Sequence, residues 1–376
     1  MIIAVNTRFL IKDKLEGYGY FVHETFRRIT EQHPEHQFYF LFDRPYDQSF
    51  VFSKNVIPIV VPPQARHPLL WKFWFDVKLP LVLRKIKADV FVSPDGFATL
   101  TTKVPQCIVV HDLGFLHHSE TYKKSHVLFY KQYTRSFLRK AKAVATVSQF
   151  SKKDIIKNYK TPADKINVVY SAAKDIFRPL TTDEKQAIKD QYTEGKEYFI
   201  YVGAIQPRKN IINLLKGFSF FKKRQKSNMK LVLAGRVWKG DNFLEQLNAY
   251  KYKNDVVLMD YVEESLLTQL VSSAYALVYP SLFEGFGVPP LEAMKCGIPP
   301  ITSRGTAMEE ICGNAALYFD PTIADDIGKK LMLLYKDETL RNKLIENGKS
   351  IVTQYSWQRT ADLLWESILQ CVDKHT

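Results

Sequence analysis

The chain has 376 residues, more than the roughly 250–300 that one hydrophobic core usually organises, so two domains are expected. Hydrophobic content of 46% and charged content of 24% are ordinary globular values, which argues against a disordered or fibrous chain. The net charge of +14 is lopsided: residues 1–178 carry 28 Lys and Arg against 15 Asp and Glu, and the remainder 25 against 24.

A basic first half suits an anionic partner: a membrane surface, a lipid-linked phosphate or a nucleic acid. No helix-turn-helix, zinc-finger or ribonucleoprotein signature accompanies it, which argues against nucleic acid. No apolar run approaches the ~18 residues of a spanning helix, and the chain starts on strand-like Ile2–Val5, not on a basic signal region. Cys107, Cys296, Cys312 and Cys371 are scattered with no C-x-x-C pair, as expected for reduced packing residues of a cytoplasmic protein.

In chain order, Ile2–Val5, Phe38–Phe42, Val56–Val61, Val90–Val92, Cys107–Val110, Ala143–Val147 and Ile166–Val169 are predicted strands. Helical segments alternate with them, so a doubly wound parallel sheet is expected. A second series follows: Tyr198–Val202, Lys230–Leu233, Val256–Leu258, Ala276–Tyr279, Pro300–Thr302 and Ala316–Phe319. The stretch Phe177–Thr182 is the linker candidate, giving domains at 1–178 and 179–355. Ligands are expected at the carboxyl ends of strands, in a cleft between the halves.

After the first strand, Gly17 and Gly19 precede a helix from Phe21 to Arg28, where backbone amides could approach a phosphate or simply make a strand–helix turn. Residues 67–87 mix Trp71, Phe73, Trp74 and Phe75 with Lys72, Lys78, Arg84, Lys85 and Lys87. That pattern fits an amphipathic helix on the first sheet, broken at Pro80, or an interfacial segment on anionic lipid. His111 lies just past a strand end, either as a contact to a substrate hydroxyl or leaving phosphate, or as a satisfied loop residue. His117 and His118 lack the spacing of a metal site. Ser151 is placed as the N-cap of the next helix.

In the second half, Gly203 ends a strand and the loop Gln206–Asn210 delivers Arg208 and Lys209 just before a helix, a pairing that can neutralise a diphosphate without a metal. Gly235 repeats the strand-then-glycine design. From Tyr279 to Pro300 a strand leads through Glu284, Gly285 and Gly287 into a helix opened by Pro289-Pro290, bearing Glu292 and stopped by Gly297. Free amides at that helix start suit a phosphate, and a carboxylate there can accept two hydrogen bonds from vicinal sugar hydroxyls. Ser356-Trp357 begins an amphipathic helix running to about Val372.

The blocks Val110-His111-Asp112-Leu113, Thr146-Val147-Ser148, Tyr201-Val202-Gly203, Pro207-Arg208-Lys209-Asn210, and Pro280 to Gly287 with Leu291-Glu292-Ala293-Met294 are similar to those of family 4 retaining glycosyltransferases, nearest the mannosyltransferase-like branch. The resemblance spans nearly the whole chain, and its most specific mark is two glutamates separated by seven residues. It implies α/β GT-B architecture: two Rossmann-like doubly wound domains facing across a cleft. The first would bind acceptor and the second nucleotide-sugar, with helix 356–376 crossing back onto the first.

The resemblance also implies roles. Glu284 would contact the donor sugar's hydroxyls, with amides around Phe286, Gly287 and Val288 holding sugar and diphosphate. Glu292 would grip the ribose diol, and Arg208 and Lys209 would hold the diphosphate as it leaves. The Gly17–Gly19 loop would close over the phosphates, and His111 would touch the sugar near the reacting carbon. Pro290 and Pro300 stand where the family usually has valine, a change expected to remove no ligand group. Tyr20 stands where relatives often carry arginine.

The expected reaction is transfer of a hexose, first mannose from GDP-mannose and second a UDP-hexose, to a hydroxyl of a glycan or lipid-linked glycan in surface polysaccharide synthesis. Anomeric configuration would be kept by front-face attack. No Asp-x-Asp occurs at a strand end, so no metal cofactor is expected. The protein would be cytoplasmic, with peripheral contact to an anionic inner membrane face through its basic half. A nucleotide-sugar 2-epimerase on the same fold and a catalytically idle nucleotide-binding subunit are the alternatives.

Overall fold

A computed structural model describes residues 1–15, 17–238 and 242–372; Glu16 in the first glycine loop and the last four residues of the expected helix 356–376 lie outside the described residues. The chain divides into two units, Met1–Ser171 with the segment from Ser356 onward, and Ala172–Tyr355. The division thus falls at 171/172 instead of 178/179. Side-chain packing is the reason: Phe177 belongs to the second unit's core, the Ser272 hydroxyl donates to the Arg178 carbonyl, and Lys174 pairs with Glu264.

Each expected strand forms, and each is short, apolar and parallel to its neighbours. In the first unit β1 (Ile2–Asn6), β2 (Gln37–Phe42), β3 (Val56–Val60), β4 (Val90–Ser93), β5 (Gln106–Val110), β6 (Ala143–Thr146) and β7 (Ile166–Val168) lie in the order β3-β2-β1-β4-β5-β6-β7. In the second, β8 (Tyr198–Val202), β9 (Lys230–Ala234), β10 (Val256–Met259), β11 (Ala276–Tyr279), β12 (Pro300–Ser303) and β13 (Leu317–Phe319) lie in the order β10-β9-β8-β11-β12-β13. The inner strands are buried along their whole length because helices cover both faces, which is why they read as unbroken apolar runs. Winding reverses between β1 and β4 in one sheet and between β8 and β11 in the other, and such reversal points open a crevice at the strands' carboxyl ends.

Two local expectations change. The segment 68–85 is not broken at Pro80. It runs as Pro68–Phe73, a π-helical turn Trp74–Lys78, and Leu79–Lys85. Pro80 has no N–H for the Asp76 carbonyl, so that carbonyl accepts the Thr101 hydroxyl at 2.7 Å and the Leu79 N–H bonds Trp74. The helix Gln149–Tyr159 is capped by Ser148 and not by Ser151. The Ser148 hydroxyl accepts the Ser151 N–H at 3.0 Å, while the Ser151 hydroxyl donates to the His111 carbonyl.

The helix Trp357–Val372 packs on Gly17–Gln32, with Trp365 stacked on His33 at 3.9 Å, so this C-terminal segment belongs to the first unit. All four cysteines are buried and free.

Candidate active site

In the second unit the loops leaving β8 and β11 meet at the reversal point of the sheet. The Leu282 N–H donates to the Arg208 carbonyl at 2.9 Å, tying the two loops together. Asn210, in a left-handed conformation at φ 62°, donates its side-chain amide to the Pro280 and Pro321 carbonyls at 3.2 and 2.7 Å. Held this way, Lys209 Nζ sits 2.5 Å from Glu284 Oε1 and 2.7 Å from the Tyr279 hydroxyl. Arg208 Nη1 lies 3.4 Å from the same Oε1 and donates to the Phe283 carbonyl. The Ser281 hydroxyl also donates to Oε1, at 2.5 Å.

All four side-chain contacts of Glu284, from Lys209, Arg208, Ser281 and, at 3.4 Å, the Tyr279 hydroxyl, fall on Oε1. Among the described residues nothing engages Oε2, which is left to accept from a bound molecule's hydroxyl. Burial alone would raise this carboxyl's pKa, but Lys209, Arg208 and the Ser281 hydroxyl overcome it and hold the group at about 2. Glu284 is therefore a fixed anion, a hydrogen-bond acceptor with little capacity to take a proton at neutral pH. Two cations and one carboxylate leave the cluster with one net positive charge, an attractive field for a diphosphate.

Glu292 is the opposite case. It is 6% exposed, and no hydrogen bond satisfies its carboxylate among the described residues. The neighbouring cations have other partners: Lys174 pairs with Glu264, and Lys295 lies 3.1 Å from Asp175. Burial therefore prevails over the pull of Lys174, and the pKa rises to about 7. A buried carboxyl without a partner is costly, and vicinal hydroxyls are a ligand that would satisfy it.

Gly287 caps the helix Val288–Lys295 at φ 96°, and a Cβ there would lie 2.7 Å from Met308 Cγ. Both the conformation and the close approach demand glycine. The N–H groups of Phe286, Gly287 and Val288 have no partner among the described residues, so three donors are open at this turn. Pro289 and Pro290 follow at the second and third helical positions and offer none. Pro289 therefore ends the run of open amides at Val288, and Pro290 lies beyond that end. Gly203, at φ 137°, lies where β8 leaves the sheet, and its N–H donates to the Ala234 carbonyl.

In the first unit, His111 Nε2 is 3.0 Å from the Pro94 carbonyl. A carbonyl only accepts, so Nε2 carries the proton and Nδ1 presents a lone pair. Burial depresses the ring's pKa, outweighing the Pro94 hydrogen bond and the Asp112 and Asp95 carboxylates, so the imidazole is neutral at pH 7. His111 can accept from a hydroxyl at Nδ1 and has no second proton for a leaving phosphate. Tyr18 stands edge-on to it at 4.6 Å, which brings the Gly17–Gly19 turn beside His111.

Gly17 and Gly19 differ. The helix runs Gly17–Gln32, starting ahead of the expected Phe21, so both glycines lie in its first turn: Gly17 has open space around it, whereas a Cβ on Gly19 would lie 2.4 Å from the Phe9 carbonyl. Gly19 is required for packing, and Gly17 is the one that leaves room for a ligand. Tyr20 packs on Trp357 at 5.5 Å.

Residues 16–173 match the model described as Glycosyltransferase Family 4, and residues 183–351 match the one described as Glycosyl transferases group 1. O-antigen chain mannosyltransferase B of Escherichia coli is 30% identical over 299 residues, 78% of each chain. O-antigen chain mannosyltransferase RfbU of Salmonella typhimurium is 31% identical over 286 residues, 73% of this chain and 74% of its own.

The chain belongs to the Family 4 glycosyltransferases.

Sucrose-phosphate synthase from Thermosynechococcus elongatus shares the glycosyltransferase's fold, with a TM-score of 0.79 at 16% identity over 98% of both chains. The expected GT-B class, a pair of doubly wound Rossmann-like units, is the fold observed. The structure gathers Arg208, Lys209 and Glu284 into one cluster, and places His111 beside Tyr18 in the other unit. Sequence reasoning assigned no role to Tyr279, Ser281 or Asn210, which orient that cluster. Ser281 and Tyr279 flank Pro280 just ahead of Glu284, a position whose polarity could have marked them.

Proposed function

We propose that this glycosyltransferase moves a hexose from a nucleoside diphosphate sugar to a hydroxyl of a glycan or lipid-linked glycan of a surface polysaccharide, with GDP-mannose as donor and retention at the anomeric carbon. The observation that carries the reading is Glu284 held ionised by Lys209 and Arg208 with one oxygen open. The O-antigen mannosyltransferases at 30 and 31% identity favour mannose over a UDP-linked hexose.

Glu284 Oε2 accepts from a hydroxyl of the transferred sugar. Arg208, Lys209 and the open amides of Phe286 to Val288 meet charge developing on the departing diphosphate, the kind of preorganised electrostatics that carries most of such barriers. Glu292 accepts from the ribose diol, and His111 Nδ1 accepts from a sugar hydroxyl near the reacting carbon. A carboxylate of pKa about 2 is a weak base, so the acceptor's proton goes to the leaving phosphate oxygen. Two side-chain cations at the diphosphate support turnover without a metal. Among the described residues no helix is long and apolar enough to cross a membrane, and a membrane-borne acceptor would be met from the surface.

The test is a screen of GDP-mannose against UDP-hexoses with EDTA present, reading nucleotide release and the anomeric configuration of the product. GDP release with a new α-mannosyl bond supports the reading. Isomerised donor or free sugar formed without acceptor would replace it with the epimerase alternative.

A further inference from the structure

The helix 68–85 buries one face and leaves another unpartnered. Trp71, Trp74, Phe75, Leu79 and Leu83 enter the first unit's core. On the opposite side Leu69, Phe73, Val77 and Leu81 recur every fourth residue in the open, Leu69 at 78% exposure and Leu81 at 59%. The helix Lys124–Lys140 packs alongside, through Trp71 against Phe129 at 5.2 Å and Lys72 over the Tyr133 ring, and adds Leu128 at 68% exposure. Monomeric proteins seldom show so regular a run of bare apolar side chains.

Charge says what covers it. Residues 66–87 hold six Lys and Arg and one acid, Asp76; residues 123–142 hold seven Lys and Arg and no acid. Asp76 is itself taken up by Lys72 and by the Leu100 N–H. The two segments that carry the ridge thus present many cations and a single carboxylate, itself engaged, and a sheet of anionic headgroups over acyl chains fits such a face well.

We infer that this face, Leu69, Phe73, Val77, Leu81 and Leu128 with the surrounding lysines and arginines, docks the glycosyltransferase on an anionic lipid leaflet. The ridge enters the headgroup–acyl boundary while Lys78, Arg84, Lys85, Lys124 and Lys131 meet the phosphates. The inference deepens the proposed function, since it rests on that reading for the presence of a membrane-borne acceptor; its test measures binding and not transfer, so the two can fail separately.

The full chain is floated with vesicles of pure phosphatidylcholine and with vesicles containing phosphatidylglycerol, at low and high salt. The expected result is flotation with the anionic vesicles, weakened by salt, and little with the neutral ones. A Leu69→Ser, Phe73→Ser, Leu81→Ser variant should lose at least ~10-fold in partitioning at either salt concentration. A Lys85→Glu, Lys124→Glu, Lys131→Glu variant should lose it chiefly at low salt. Circular dichroism and GDP binding should stay as in the parent, which shows that the variants fold. Flotation that is absent, equal on both vesicle types, or indifferent to both variants overturns the inference. So does conversion of a dimer to a monomer by the serine variant with flotation unchanged, which would assign the ridge to a second copy of the chain.

Discussion

Lys209 and Glu284, 75 residues apart in the chain, form a buried ion pair at 2.5 Å at the point where the second sheet reverses its winding. The pair spends one carboxylate oxygen and leaves the other open. Replacing Glu284 with Gln removes the charge but keeps the shape. Turnover should fall by about 10²–10³ while GDP affinity stays within about threefold, because the lost interaction acts on the transferred sugar. The two cations would then be buried without their partner, costing on the order of 3 kcal/mol in thermal or urea unfolding. Unchanged turnover in folded protein would remove Glu284 from the chemistry.

Lys209→Ala tests the other half. GDP should bind about 10-fold more weakly and guanosine nearly as before, measured by titration calorimetry. With Lys209 gone, the effect of burial on Glu284 is opposed mainly by Arg208, so its pKa should rise from about 2. The variant's residual kcat/KM should then decline at higher pH on the acid side than the parent's. Equal losses of GDP and guanosine would contradict the charge argument.

Glu292 should make donor binding pH-dependent near neutrality. Its folded pKa is about 7 against 4.5 unfolded, so the folded state holds the extra proton between those values. The group's contribution to stability is thus full below about pH 4.5 and is lost as pH rises through 7. Glu292→Gln should raise the unfolding free energy at pH 8 by on the order of 3 kcal/mol and leave it unchanged near pH 4, as read from urea or thermal unfolding. A diol that needs the carboxylate should bind the parent more tightly as pH rises from 6 to 8, and the Gln variant should show a flat profile. A parent profile equally flat would show that Glu292 does not meet the ligand as an anion.

Gly287→Ala combines a left-handed backbone with a Cβ 2.7 Å from Met308. It should cost about 1–3 kcal/mol and displace the open amides at Phe286 to Val288, weakening GDP binding. Adding Met308→Ala relieves the clash but not the backbone strain, so stability should recover in part. A single variant as stable as the parent would mean that the turn can rearrange.

Much of this was legible beforehand, for identifiable reasons. Strands buried on both faces must be apolar throughout, so β4, β5, β8 and β11 announced themselves as short runs ending in polar or glycine residues. Arg208-Lys209 and the Glu284–Glu292 block were visible because their residue types coincide with strand ends. The cap at Ser148 was misplaced onto Ser151 because both serines lie within one turn, and only the β6 end decides which carries extended backbone. Pro80 predicted a break because a lone proline cannot show that Thr101 will take up the carbonyl it leaves unpaired.

The residue types, their order and their periodicity by themselves determined two parallel α/β units, the strands in each, and which loops carry glycine, cations and carboxylates. Tertiary structure alone decided the states of those groups. Glu284 and Glu292 look alike in sequence, yet one is ionised at pKa about 2 and the other titrates near 7. The reason is that a buried carboxyl's charge depends on what lies within a few ångströms of it, and Lys209 reaches Glu284 across 75 residues of chain while Lys174 and Lys295, the cations beside Glu292, are paired with other acids.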